Sequence, residues 1–256
     1  MLPSLFISHG SPMLPLTEAP ARTFLQHLAA TLERPKAILV ASAHWETRKP
    51  AVNAVVRNDT IHDFSGFPPA LYRLSYPAPG DPKLAERVGT LLHAAGLATE
   101  IDHTRGLDHG AWVPLLLAYP DADIPVLQVS VQTPLGPAHH VRLGEALAPL
   151  RAEGVLVIGS GSWTHDLRRF RGQAIDAPEA PDVVAFSDWM DTALTEGRRD
   201  DLLSYRTKAP HAAQEHPTEE HLLPLFVAMG AGGATPRRIH QSASYGILRM
   251  DAYSFA

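Results

Sequence analysis

The feature that most constrains this chain is a construction that occurs three times. Val155-Leu156-Val157-Ile158 is an apolar, β-branched run that reads as a buried strand. Gly159-Ser160-Gly161-Ser162 follows and frees the backbone to turn, and His165 stands at the far side. Leu5-Phe6-Ile7-Ser8 likewise runs into His9-Gly10-Ser11-Pro12, and Ala37-Ile38-Leu39-Val40-Ala41-Ser42-Ala43 into His44-Trp45. Three apolar strands, each delivering a histidine at its carboxyl end, predict an open, mostly parallel α/β sheet whose ligands bind along that edge. Three imidazoles gathered there point to a metal.

Between these strands the chain alternates. Phe24, Leu25, Leu28 and Leu32 recur at helical spacing, and Pro35 ends that helix. Residues 51–57, 99–102 and 124–131 read as strands, and 82–95, 111–119, 140–150 and 183–194 as helices. Residues 205–214 are polar and irregular. Pro217 opens a helix over 217–229, and 243–250 reads as a closing strand. Residues 63–81 form a long segment rich in proline and aromatics, and loops of that length inside a domain are usually functional. There is no internal repeat or linker. The expectation is a single α/β domain over residues 1–256, with a mostly parallel central sheet flanked by helices and the site at its carboxyl edge.

Composition removes several alternatives. A net charge of -5 leaves no polyanion-binding footprint, so nucleic acid and anionic membrane are not expected partners. The absence of cysteine excludes disulfides, thiolate zinc sites and a cysteine nucleophile. No apolar run is long enough to span a bilayer and the first residues carry no signal pattern, so the cytoplasm is the expected compartment. Gly159-Ser160-Gly161 has neither the spacing of a nucleophile elbow nor that of a dinucleotide fingerprint.

The chain has 14 histidines, and a single histidine is more often a surface or satisfied core residue than a ligand. His27, His62, His93, His103, His139, His140, His211 and His240 stay under that reading. His9, His44 and His165 escape it because their placements agree. His216, just before Pro217, is a fourth candidate. At a helix N-terminus the dipole disfavours imidazolium, and a neutral imidazole is what a metal binds. On that same helix His221 is five residues on and about 140° out of phase, which excludes a zincin pair and turns it toward core or solvent. His109 lies between glycines in Gly106-Leu107-Asp108-His109-Gly110, where Asp108 orients it or forms an Asx turn.

Taken together and in order, His9-Gly10-Ser11-Pro12, Ser42-Ala43-His44-Trp45, Gly106-Leu107-Asp108-His109-Gly110-Ala111-Trp112, Gly159-Ser160-Gly161 with His165, and His216-Pro217-Thr218 with His221 resemble the DODA-type extradiol aromatic ring-opening dioxygenases, the class III extradiol family. The segment from Gly66-Phe67-Pro68 to Gly80-Asp81 resembles that family's substrate-side loop. The resemblance covers nearly the whole chain. It implies one divalent metal per chain, Zn(2+) or Fe(2+), with His9, His44 and His216 at ligand positions. It makes His165 a further ligand or a catalytic base, and His109 a catalytic histidine beside the metal.

The expected activity is ring cleavage of a catechol-type aromatic, like a 4,5-DOPA dioxygenase, with both atoms of O2 entering the product. His109 and His165 move protons, and Phe64, Phe67 and Tyr72 wall the aromatic substrate. Two rival readings use the same site: a zinc-dependent hydrolase and a metal-binding protein without turnover. The oligomeric state, a homo-oligomer included, is left open.

Overall fold

In the computed structural model, which describes residues 1–233 and 235–256, the apolar runs become the centre of one sheet. The strands are β1 (Ser4–Ser8), β2 (Ala37–Glu46), β3 (Ala51–Asn53), β4 (Glu100–Asp102), β5 (Val126–Val131), β6 (Val155–Gly161), β7 (Pro236–His240), β8 (Ala243–Ser244), β9 (Leu248–Arg249) and β10 (Ala252–Phe255). Among the described residues, eight of them form a sheet in the order β4-β3-β5-β2-β6-β1-β10-β7. The four central strands β5, β2, β6 and β1 are parallel. Antiparallel pairing appears toward the edges, where β10 joins β1, β7 joins β10 and β3 joins β5.

The central strands read as unbroken apolar runs because both faces are covered. On one face Ile38, Val40, Leu156 and Ile158 pack against Leu25, Ala111 and Leu115, from the helices Pro20–Leu28 and His109–Ala118. On the other, Ala37, Leu39, Ala41 and Val155 pack against Val88, Leu143, Leu147 and Val227. Those residues belong to the helices Pro82–Ala94, Gly136–Leu147 and Leu223–Gly232. The strand period of two sorts the neighbours of each run onto opposite faces. The result is a single α/β domain with a mostly parallel sheet, as its alternating pattern predicts. No described helix is long and apolar enough to cross a membrane.

Three local expectations need correction. Gly159 and Gly161 lie inside β6 and make no turn. A Cβ at Gly159 would stand 2.0 Å from the Pro224 carbonyl oxygen, and one at Gly161 2.0 Å from that of His221. The glycines let another segment of backbone cross the strand end, which the Ser162 N–H secures by donating to His221 O at 2.8 Å. The helix expected over 217–229 starts later, as Leu223–Gly232. Pro217 holds His216 out of helical geometry, at φ -128° and ψ 83°, and Pro224 takes the favoured first-turn position. Finally, 243–250 is not a strand of the main sheet. It folds into the hairpin of β8 and β9, turned at Tyr245 and Gly246, both with positive φ.

Candidate metal centre and catalytic cavity

His9 follows β1 directly and His44 stands near the end of β2, so both arrive at the carboxyl edge of the parallel strands. At His44 the pairing with β5 is irregular between Ala41 and Glu46, a local break of the kind that re-aims a side chain. His221 arrives on the segment that crosses Gly161. The three rings meet: His44 Nε2 is 3.0 Å from His9 Nε2 and 3.3 Å from His221 Nε2.

The partners of the other ring nitrogens assign the protons. His9 Nδ1 lies 3.1 Å from Ser160 Oγ, and that hydroxyl already donates to the Gly110 carbonyl. It therefore accepts from His9, which carries its proton on Nδ1. His221 Nδ1 is 3.0 Å from a Glu220 carboxylate oxygen, and His44 Nδ1 faces Asp63 Oδ2 at 3.7 Å. Burial, reinforced by neighbouring imidazoles, holds His9 and His221 well below the ordinary histidine range. Burial also brings His44 down to about 4. His9 and His221, neutral and with their protons turned outward, therefore turn their Nε2 lone pairs toward His44 Nε2, and three ring nitrogens converge with at most one proton among them. That is unfavourable unless a cation lies among them, and carboxylate or hydroxyl acceptors behind ligating histidines are the usual support of a metal. The residues fit a divalent ion, and His9, His44 and His221 form a group that could hold one.

The structure separates the other expected site residues. His165 lies face to face with His221, ring centroids 3.4 Å apart and planes 12° from parallel, and borders the same cavity. Burial brings it to about 4. His109 opens the helix His109–Ala118 with its ring centroid 3.9 Å from that of His44. Gly110 permits that approach, since a Cβ there would lie 2.4 Å from Ser42 Oγ. Asp108 does not orient His109. Its carboxylate is fully buried and accepts from Ser42, Gln128 and Arg105 at 2.7–3.0 Å. The carboxylate at His109 is Asp63, whose Oδ1 is 3.0 Å from both the ring Nδ1 and the backbone nitrogen of His109.

His216 is not brought to the cluster. Its Nε2 lies 2.9 Å from Trp163 O, and its ring sits among Phe186 and Tyr205 at 5.6 and 6.5 Å. The reason is the missing helix: without helical phase between them, residues 216 and 221 need not diverge as the 217–229 reading required. The chain turns His221 into the cavity and His216 behind it. Glu215, which sequence places beside His216, accepts from Arg169 at 3.0 Å and is pushed up to about 7 by burial.

A cavity of about 450 Å³ opens in front of the histidines. Phe64 and Phe67 line it. Tyr72 does not: its ring backs Phe64 at 5.4 Å, and its hydroxyl accepts from the Phe67 N–H at 3.4 Å. Sequence reasoning missed a further set of lining residues, Leu167, Phe170, Tyr245 and Ile247. The positive φ of Tyr245 is invisible in sequence, and Phe170 lies in a stretch with no periodic signal.

A cavity walled by aromatic rings and floored by five imidazoles suits a flat aromatic ligand. The model of the catalytic LigB subunit of aromatic ring-opening dioxygenases matches residues 3–254. The chain belongs to that family. It is similar to a 4,5-DOPA dioxygenase extradiol from Beta vulgaris, 49% identical over 98% of this chain and 96% of the relative. A protein of the same description from Escherichia coli K12 is 41% identical over 90% of this chain and 85% of its own length. The crystal structure of an uncharacterized protein from Escherichia coli K12 superposes with a TM-score of 0.82 at 32% identity, covering both chains completely. Membership makes this chain an extradiol dioxygenase, an oxidoreductase acting on an aromatic substrate with O2, and does not favour the hydrolytic or non-catalytic readings.

Proposed function

We propose that this dioxygenase opens the ring of a catechol of the dihydroxyphenylalanine type, using one Fe(II) held by His9, His44 and His221. The observation that carries the reading is the convergence of three buried imidazoles, with Nε2 separations of 3.0 and 3.3 Å, on the floor of an aromatic-walled cavity. A bound Fe(II) would supply Lewis acidity toward the diol and the one-electron chemistry that dioxygen requires, which zinc lacks.

The chain supplies the rest. Phe64 and Phe67 hold the ring flat above the histidines and exclude water from it. His109 accepts a proton from one diol hydroxyl at Nε2, because its Nδ1 faces Asp63. His165, neutral at physiological pH, accepts the second proton or returns one to the opened product. Stacking on His221 holds the His165 ring in one orientation.

The test is oxygen uptake after anaerobic loading. With Fe(II), uptake is expected only once a catechol is added, together with a yellow ring-opened product. With Zn(II) no uptake is expected. Equal rates with the two metals would sink the redox reading.

A further inference from the structure

We infer that Asp63 is a positioning residue for ring opening: it fixes the tautomer and orientation of His109 and ties them to the aromatic wall. The inference rests on the reading of His109 as a proton-moving group. Asp63 lies 46 residues before His109, on the long loop, yet its Oδ1 is 3.0 Å from both the ring Nδ1 and the backbone nitrogen of His109. One oxygen thus accepts from the N–H of the first helical residue, and the ring Nδ1 lies beside the same oxygen as a charge contact, off the line of a hydrogen bond. The backbone hydrogen bond fixes Asp63 at the start of the helix, and its charge 3.0 Å from Nδ1 favours the ring that carries a proton there. A carboxylate at a helix N-terminus is also favoured by the dipole, and this helix receives no cap from the side chain of Asp108.

A carboxylate oxygen 3.0 Å from Nδ1 repels a lone pair there, so the neutral ring carries its proton on Nδ1 and its basic lone pair on Nε2. Burial pushes the Asp63 carboxyl up, but its hydrogen bonds and charge interaction with His109 outweigh this and hold it below the ordinary carboxylate range. It remains the acceptor across the working pH.

The loop is clamped where this contact requires it. Ile61 N–H donates to Leu107 O and Leu107 N–H to Asp59 O, each at 2.8 Å. The Trp112 indole N–H donates to Ile61 O at 2.9 Å. Gly106 is needed for the clamp, since a Cβ there would lie 2.2 Å from Asp59 O. Asp63 is thereby set on the strap that also carries Phe64, whose ring is 5.6 Å from that of His109. The substrate wall and the acceptor of the catalytic histidine are consecutive residues on one braced backbone. Such bracing is how an active site keeps a proton-moving group within the narrow geometry that transfer demands.

The experiment is a double-mutant cycle on the Fe(II)-loaded enzyme, using Asp63→Ala, His109→Ala and the pair, with oxygen uptake and metal content measured for each. His109→Ala is expected to lower kcat by ~10²–10⁴-fold. Asp63→Ala is expected to lower kcat by about 10–100-fold, the usual loss when an outer partner of a site histidine is removed. KM and metal stoichiometry should stay near the parent values, and in the His109→Ala background the Asp63 change should cost nothing further. Should Asp63→Ala not fold, Asp63→Asn, which keeps an acceptor oxygen and loses the charge, decides by the same cycle with a smaller loss. A turnover of His109→Ala close to the parent removes the reading of His109 and the proposal with it. If His109→Ala is slow while the Asp63 change leaves kcat unaltered, or costs the same in both backgrounds, His109 stands and the proposal falls. Loss of metal from the Asp63 variant would also overturn it, by making Asp63 a support of His44.

Discussion

The cavity and the closed nest behind it hold two histidines five residues apart, His221 and His216, and treat them oppositely. Both are buried, and burial lowers the proton affinity of both. In the cavity, His221 has a carboxylate on Nδ1 and two imidazoles in front of Nε2. In the nest, His216 places Nε2 on a backbone carbonyl, and its Nδ1 has no partner among the described residues. Burial and residue type are shared, so neither can be what makes a ligand. The difference lies in where the second nitrogen finds its acceptor, and so in which nitrogen is left facing a shared space.

The sharpest way to break this comparison is to truncate each histidine in turn. His221→Ala removes one of three convergent donors and should abolish stoichiometric Fe(II) binding and turnover together, with the far-UV spectrum kept. His216→Ala should keep its metal and most of its rate. It should lose stability instead, by about 1–3 kcal/mol for a cavity and an unpaired Trp163 carbonyl. Metal analysis and urea unfolding read the two effects separately. Metal lost from His216→Ala and kept in His221→Ala would reverse the assignment and restore the ligand set that the resemblance implied.

That assignment also marks how far sequence reaches. His9 and His44 were legible because each depends on a strand it terminates, a feature contained within ten residues. The parallel sheet was legible for the same reason, since strands covered on both faces write themselves as uninterrupted apolar runs. His221 was not, because its exclusion assumed a helical phase that Pro217 and Pro224 deny. Asp63 was unreadable for a different reason: a carboxylate held against a histidine by backbone bonds between residues 59–61 and 107 leaves no trace in either local segment. Gly159 and Gly161 stand out in the sequence, but sequence alone does not distinguish a glycine that turns from one that lets another chain segment pass.

A second contrast appears on acidification of the metal-free protein. Burial holds His44, His165, His216 and His140 at about 4 in the folded chain, against 6.5 for an unperturbed ring. Between those values the unfolded chain binds more protons, so stability is complete above pH 6.5 and is lost as pH falls toward 4. Each such ring contributes a slope of up to about 1.4 kcal/mol per pH unit. Urea unfolding at several pH values should show uptake of several protons in that window. His216→Phe should remove about one proton from the slope while leaving the cavity rings to titrate. A slope unaffected by that substitution would mean that His216 already carries its proton in the nest.

The smallest expected effect tests the cavity's outer wall. Phe170 is 47% exposed, lies edge-on to Tyr245 with centroids 5.1 Å apart, and borders the cavity. The hairpin carrying Tyr245 is fastened to the strand-end segment by Thr164, whose hydroxyl donates to Ile247 O and accepts from the Arg249 N–H, both at 2.9 Å. The wall therefore stands on a rigid base although its tip is open to water. An exposed aromatic on such a base gives contact area to a bound ring and little to folding, the reverse of His216. Edge-to-face aromatic contacts contribute about 0.5–1.5 kcal/mol, so Phe170→Ala should raise the KM for a catechol by about 2–12-fold. Its kcat, metal content and melting temperature should stay near the parent values. An equal fall in kcat would instead place Phe170 against the reacting atoms. A drop in melting temperature with KM unmoved would make it a packing residue and leave Phe64 and Phe67 as the substrate wall.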